Sequence, residues 1–329
     1  MIFAASLLLA FTLRADPEVR PVTVPPALAA ITSNPEFSGI TWSAALGRYL
    51  LVSDDTGLHE DGTAHAPFVL ALDEKGRLDE TPVPIRGLAS LNDPESICPG
   101  PAGTFFLVTS HSPNKKGKTK PARRQLLQLA LNGRELEIVG RADLLAVQGG
   151  TLLERAGLPA DRPLDIEAIA FRDGALFLGL KSPLADGKHA VIVRFADAEK
   201  ALKEGVVRAS SLTRLAALPL CVPVGAATVC QGVSDLLFLP DGFLVIAANA
   251  PKGGPKDGGG ALWLAKAPVG SSPPVLVRRF ENLKPEGLSL DSKGTKLVVA
   301  FDRDQEQPEW MELPLPETSP SPAPASRPK

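Results

Sequence analysis

The sequence predicts an all-β fold: a single β-propeller of five blades, each of four antiparallel strands, closed by an N-terminal strand. Three observations carry this expectation. An apolar strand, a tight turn and a second apolar strand recur with starts at Ser38, Glu95, Glu167, Ser234 and Glu286, spaced by 57, 72, 67 and 52 residues. Recurrent hairpins at such a period mark propeller blades, each a small sheet beside a central channel. Glycine (29) and proline (32) are plentiful enough to supply the turns, and the long helical patterns of an α/β enzyme are missing. At 329 residues and 44% hydrophobic composition, the chain suffices for one closed unit with a sizeable core.

From the N-terminus, residues 1–15 (MIFAASLLLAFTLRA) read as a secretory signal. The uncharged run from Ile2 to Leu13 is shorter than the roughly 20 residues a membrane span needs, and Ala15 precedes a plausible cleavage point. The mature chain is therefore expected in the periplasm or outside the cell, with no membrane span. Residues 19–313 form the propeller, and residues 314–329, rich in Pro, Ser and Ala, form a disordered tail with too little apolar area to offset chain entropy.

Within the propeller each repeat is followed by two further strand-like runs, such as PFVLALD and TPVPIRGL after the first and RQLLQLAL and LEIVGRADLL after the second. The third repeat carries a short helical insertion, DAEKALKEG. After the fifth copy only EWMELPL remains, so VRPVTVPPAL near the N-terminus is expected to supply the missing outer strand and remove a free sheet edge. A six-bladed count would require a degenerate blade inside the long second interval. Asp173-Gly174 and Asp241-Gly242 suit tight hairpin turns at the bottom of their blades.

That geometry brings the residues before each inner strand and after its partner to the upper mouth of the channel. The first set is Ser38, Glu95, Glu167, Ser234 and Glu286, flanked by Asp93, Asp165 and Asp235. The second is Asp54, Asp55, His111, Lys181, Asn249, Asp302 and Arg303. Three equivalent glutamates facing one channel repel unless a cation, a basic residue or protonation compensates. Hard oxygen ligands of this kind suit Ca²⁺. Glu95, Glu167, Glu286, Asn249 and Asp302 are the candidate metal ligands. His111 is the candidate acid or base, with Lys181 and Arg303 the candidates for stabilising anionic charge. Alternatively, Lys181, Arg303 and His111 pair with the glutamates in a closed salt-bridge ring.

Asn114 to Arg124 (NKKGKTKPARR) holds six basic side chains and is expected on the same upper face, as an attractor of phosphate or as a solvated loop. Lys252 and Lys256 lie in a similar loop. His59, His65 and His189 carry no ligand role. Cys221 and Cys230 flank a short loop that a disulfide would close in an oxidising compartment, whereas Cys98 reads as core packing. A net charge of −2 gives no general attraction to nucleic acid or anionic membrane. No G-x-S-x-G elbow, phosphate-binding loop, dinucleotide fingerprint or H-E-x-x-H is present.

The segment FSGITWSAALGRYLLVSDD resembles the opening blade of the phytase-like family known for esterase-like activity of phytase. FLVTSHS, LDIEAIAFRDGALFLGLKSPL and GKHAVIVRF are similar to a bacterial propeller family known only as a domain of unknown function. The resemblance covers most of residues 30–312. It implies a secreted or periplasmic propeller whose Glu167 and Glu286 face the channel, and from the first family it implies Ca²⁺-assisted phosphate-ester hydrolysis. The dense acidic run of established β-propeller phytases is missing here. The combined expectation is a monomeric, metal-assisted hydrolase of a phosphate ester, ester or lactone. The alternative is a non-catalytic propeller that binds a small anion or a protein on its upper face.

Overall fold

The structure, a computed structural model, describes residues 17–32, 35–54, 66–114, 116–251, 259–303 and 306–316. The signal sequence, Asp55, His59, His65, Lys252, Lys256 and most of the C-terminal tail lie outside the described residues.

Each repeat folds as expected into a hairpin, and each hairpin is extended outward by two more strands. The first sheet runs Phe37–Ser43, Arg48–Ser53, Phe68–Leu72 and Val83–Arg86. The second runs Pro94–Pro99, Thr104–Thr109, Leu126–Asn132 and Glu135–Ala142. Their outermost strands pair in parallel through Ile85 and Leu136, so the two form one continuous eight-stranded sheet. The third sheet comprises Asp165–Arg172, Ala175–Ser182, Ala190–Ala196 and Leu212–Leu218. The fourth comprises Gly232–Phe238, Leu244–Asn249, Gly260–Ala265 and Val275–Phe280. The last sheet begins with Lys284–Leu290, Lys296–Asp302 and Glu309–Pro314. Arg20–Pro21 completes it by pairing antiparallel with Trp310 and Glu309, the closure foreseen from the N-terminal stretch.

The first strands of successive sheets pack against one another, and Lys284–Leu290 packs back on Phe37–Ser43, so the inner strands close a ring. This is the arrangement of a β-propeller. Its core is divided into wedges between neighbouring sheets, which explains why strands read as near-continuous apolar runs. Val52, Ile97 and Leu127 fill one wedge and Phe106, Ile166 and Leu178 the next; Ile192, Val233 and Ile246 fill a third. Val245, Phe301 and Met311 occupy another, and Ile40, Leu51, Val298 and Trp310 join the last sheet to the first. Burying each such side chain contributes about 1.5–3 kcal/mol relative to exposure.

Residues 143–164, the last part of the long second interval, carry only the two-residue strand Val147–Gln148 and the helix Leu152–Arg155. DAEKALKEG forms the helix Ala198–Glu204. Asp173 and Gly174 have φ of 51° and 76°, the left-handed pair that a tight hairpin turn requires. Cys221 and Cys230 face each other across a short hairpin and are disulfide-bonded, while Cys98 is buried as a free thiol. Among the described residues no helix is long and apolar enough to cross a membrane.

Candidate functional site

Every inner hairpin contains a register shift at the same place, and the residue skipped in each pairing is Ser38, Glu95, Glu167, Ser234 or Glu286. A bulge of this kind leaves one residue outside the ladder and re-aims its side chain. The repeat is thus a repeated bulge. It delivers polar groups to the channel mouth from strands whose other residues are committed to the wedges. Lys181 is skipped in the same way on the partner strand of the third sheet. The residue after four of the five bulges is small (Gly39, Ser96, Ala168 and Gly287), where the inner strands crowd together. A Cβ on Gly39 would lie 2.8 Å from the Ser96 Cα, and one on Gly287 would meet Ile40 at 2.9 Å.

Two overlapping carboxylate groups result. Oxygens of Asp54, Asp93 and Glu95 lie within 4.8 Å of one another, as do oxygens of Glu95, Asp165 and Glu167, so Glu95 belongs to both. Burial pushes the Glu95 carboxyl well above the usual range, and the neighbouring Asp54, Asp93, Glu167 and Asp165 charges push it the same way. Asp54 is raised by burial and by Asp93, against the hydrogen bond it accepts from the Ser38 hydroxyl. These acidic residues can hold an ion: their oxygens are the hard donors that divalent cations such as Ca²⁺ select.

On the other side of the mouth, the Lys181 ammonium lies 2.5 Å from Glu167 Oε2 and 3.6 Å from Glu286 Oε1. Burial alone would lower the Lys181 pKa, but the two glutamates outweigh it and hold the side chain protonated. Burial raises Glu167 against the pull of Lys181. Glu286 is pushed up to about 8, by burial first, with Lys181 opposing and Glu167 and Asp302 reinforcing the rise. Asp302 pairs with Lys284 at 2.8 Å. The remaining cation is Arg123, which folds back from the basic insertion to pair with Asp93 and to donate to the Ser112 hydroxyl at 2.8 Å. Among the described residues, Asp54, Asp93, Glu95, Asp165, Glu167, Glu286 and Asp302 gather at this mouth with Lys181, Lys284 and Arg123.

Of the residues singled out from sequence, Glu95, Glu167, Glu286, Asn249, Lys181 and Asp302 therefore meet at one mouth, and two, His111 and Arg303, do not take their expected roles. His111 has φ 57°, which turns it away from the ring. Its Nδ1 lies 2.7 Å from the Thr109 carbonyl and its Nε2 accepts from Leu144 N at 3.3 Å, while burial lowers its pKa to about 4. Both nitrogens are engaged by backbone, so it is no acid or base for the mouth. Arg303 points outward to Glu306 and, at 3.1 Å, Glu309, and stabilises no charge in the channel. Asn249 donates through Nδ2 to Glu286 Oε1 at 2.8 Å and to the Pro285 carbonyl at 3.0 Å. Its Oδ1 is buried beside Gly260, where an added Cβ would sit 2.1 Å away, and has no hydrogen-bond partner among the described residues.

Sequence reasoning passed over Arg123 and Lys284 as site residues and noted Asp93 and Asp165 only as flanks. Proximity to Glu95 and Glu167 was the available signal for the two aspartates. Arg123 had none, because its partner lies 30 residues away.

Below the mouth the channel is stitched shut. Asp235 accepts from the Ser96 hydroxyl at 3.0 Å and from Leu288 N at 2.6 Å, and Ser96 Oγ accepts from Ile169 N at 3.2 Å. These bonds join strands of four sheets, so the mouth is a closed-bottomed cup.

No family model matches the sequence, and no curated protein is significantly similar to it. Among solved structures, a gluconolactonase from Xanthomonas campestris aligns at TM-score 0.44 and 15% identity over 91% of this chain and 96% of its own. The PQQ domain of pyranose dehydrogenase from Coprinopsis cinerea aligns at 0.45 and 12%, covering 90% and 95%. A luciferin-regenerating enzyme aligns at 0.45 and 9%, covering 91% and 96%.

Proposed function

We propose that the chain is a five-bladed propeller that binds a hard divalent cation, Ca²⁺ first among them, in its acidic cup and hydrolyses an ester, lactone or phosphate ester there. The observation that carries this reading is the pair of carboxylate groups sharing Glu95. Buried carboxylates crowded within 4.8 Å of one another need a counter-charge or protons, and a cation answers that need while leaving the mouth open to a ligand. Asp54, Asp93, Glu95, Asp165 and Glu167 would hold the ion. When bound, such an ion supplies Lewis-acid polarisation of a carbonyl or phosphoryl oxygen.

The chain's own residues account for the rest. Lys181, held protonated by two glutamates, offers positive charge to an oxyanion forming beside it. Glu286, with its carboxyl raised to about 8, carries a proton at neutral pH. Since its Oε1 accepts from Asn249, the proton sits on Oε2, placed to pass to a departing alkoxide. A secreted or periplasmic location fits the leader-like N-terminus and the Cys221–Cys230 disulfide. The partial neutralisation of the cup by Lys181 and Arg123 is the observation favouring a non-catalytic binding propeller.

The test is the melting temperature of the signal-free protein after chelation and then with Ca²⁺. A saturable rise of several degrees, lost in Glu95→Gln, is expected, because a ligand that binds only the folded state stabilises it. No rise at millimolar Ca²⁺ would sink the cation site and turn attention to the binding reading.

A further inference from the structure

Each sheet of the propeller ends in an outer strand, and four of the five are paired, covered or very short. Val83–Arg86 and Glu135–Ala142 pair with each other through Ile85 and Leu136. Arg155 donates through Nε to the Leu212 carbonyl at 3.0 Å, and a Cβ on Gly270 would lie 3.1 Å from the Ala216 Cβ, so Leu212–Leu218 is covered by its neighbours. Arg20–Pro21 is two residues long. Val275–Phe280 differs. Six residues long, it ends the fourth sheet, and among the described residues no strand pairs with its outer side.

Its side chains are as unusual as its edge. Of the five large apolar side chains exposed among the described residues, three are consecutive here: Val275 at 66%, Leu276 at 42% and Val277 at 39%. Neighbouring residues of a strand point to opposite faces, so exposure of both Val275 and Leu276 leaves neither face covered at this end. Val277 is skipped in the pairing with Gly260–Ala265 and forms a bulge. Two arginines follow. The Arg278 guanidinium lies 5.6 Å from the Phe280 ring centre, and the Arg279 Nε is buried without a hydrogen-bond partner. Neither pairs with a carboxylate among the described residues.

A free apolar edge accepts a further strand, and charges and bulges restrict which strand that is. A second copy of this strand would bring no carboxylate to the arginines. It would also carry Pro273 and Pro274, which cannot donate to a ladder, directly ahead of its valines. An acidic strand meets both needs, with main-chain bonds and apolar contacts along Val275–Val277 and carboxylates at Arg278 and Arg279. We propose that Val275–Phe280 is a docking edge for an extended acidic segment of a partner protein, which adds a fifth strand to the fourth sheet. This edge lies at the opposite end of its sheet from the channel, so the proposal is independent of the carboxylate cup.

Fluorescence anisotropy with the labelled peptide Glu-Glu-Val-Thr-Val-Thr tests this, since antiparallel addition sets its glutamates against the arginines. Saturable binding is expected, weaker by roughly tenfold for Lys-Lys-Val-Thr-Val-Thr, as two exposed pairs turned from attraction to repulsion imply. Of two peptides methylated on alternate backbone nitrogens, one should lose binding and the other keep it, because only every second amide faces the sheet. Arg278→Glu should reverse the order of the two charged peptides, with an unchanged melting temperature checking the fold. Equal binding of the charged peptides, the same response to both methylations, or no binding at millimolar peptide overturns the proposal. So does a concentration-dependent dimer in sedimentation that Val275→Glu dissolves, which would give the edge to a second copy.

Discussion

Glu95 and Asp235 are buried carboxylates near each other in the same channel, linked through Ser96, which follows Glu95 and donates to Asp235. Burial raises the pKa of both. The difference lies in what stands around them. At Asp235 every further influence works against the rise: hydrogen bonds from Leu288 N, Leu236 N and the Ser96 hydroxyl. At Glu95 the further influences are four other carboxylates, all working with it. One acid has been built into the scaffold with its donors supplied. The other stands among like charges, the arrangement expected of a ligand site rather than of a structural one.

The two should therefore respond to substitution with opposite sign. Asp235→Ala strips the partner from a buried backbone N–H and a buried hydroxyl, and each orphaned donor costs about 1–3 kcal/mol. A loss of about 4 kcal/mol in urea denaturation is expected, large against the roughly 5–15 kcal/mol of a typical domain. Glu95→Gln relieves repulsion and should stabilise the chelated protein near pH 8. If both substitutions destabilise alike, the contrast between scaffold and site is wrong.

A pH series sharpens the same contrast with a smaller effect. A carboxyl raised in the folded state binds its proton more tightly there than in the unfolded chain. The resulting stability is complete below the ordinary carboxylate pKa and is lost as pH rises through the folded value. For Glu286 the window runs from about 4.5 to about 8. Chelated protein should lose stability on the order of 3 kcal/mol between pH 5 and 8, read as a falling melting temperature. A chelated protein whose stability rises over that window would mean that the cup is internally neutralised.

Much of this was legible in the sequence, because the bulge recurs at one position of a recurring hairpin. Glu95, Glu167 and Glu286 could be superposed on paper, and Lys181 followed as the residue ending the neighbouring strand. The alternation of strands carries side-chain direction only as far as the ladder extends. Past Thr109 the positive φ of His111 reverses that direction, and past Asp302 the chain leads Arg303 to Glu306 and Glu309. Asn249 was placed correctly at the mouth, but which end of its amide faces Glu286 is set by Gly260 on the next strand. Asp235 reaching Ser96 across the channel, and Arg123 returning to Asp93, are contacts between residues distant in sequence that no local pattern encodes.

The smallest expected effect concerns His111, which follows the inner hairpin of the second sheet and turns away from the cup. Its two nitrogens hold the Thr109 carbonyl and the Leu144 N–H, so His111→Ala leaves that N–H unmatched and forces alanine into a left-handed backbone. Together these should cost about 2 kcal/mol. His111→Asn tolerates the left-handed conformation better, and should recover part of the loss. Since the imidazole faces away from the carboxylates and stays neutral above about pH 4, neither variant should alter the size of the Ca²⁺ shift or its dependence on pH between 5 and 8. A Ca²⁺ shift that weakened in both variants by more than their stability loss would return the histidine to the cup and undo its reading as scaffold.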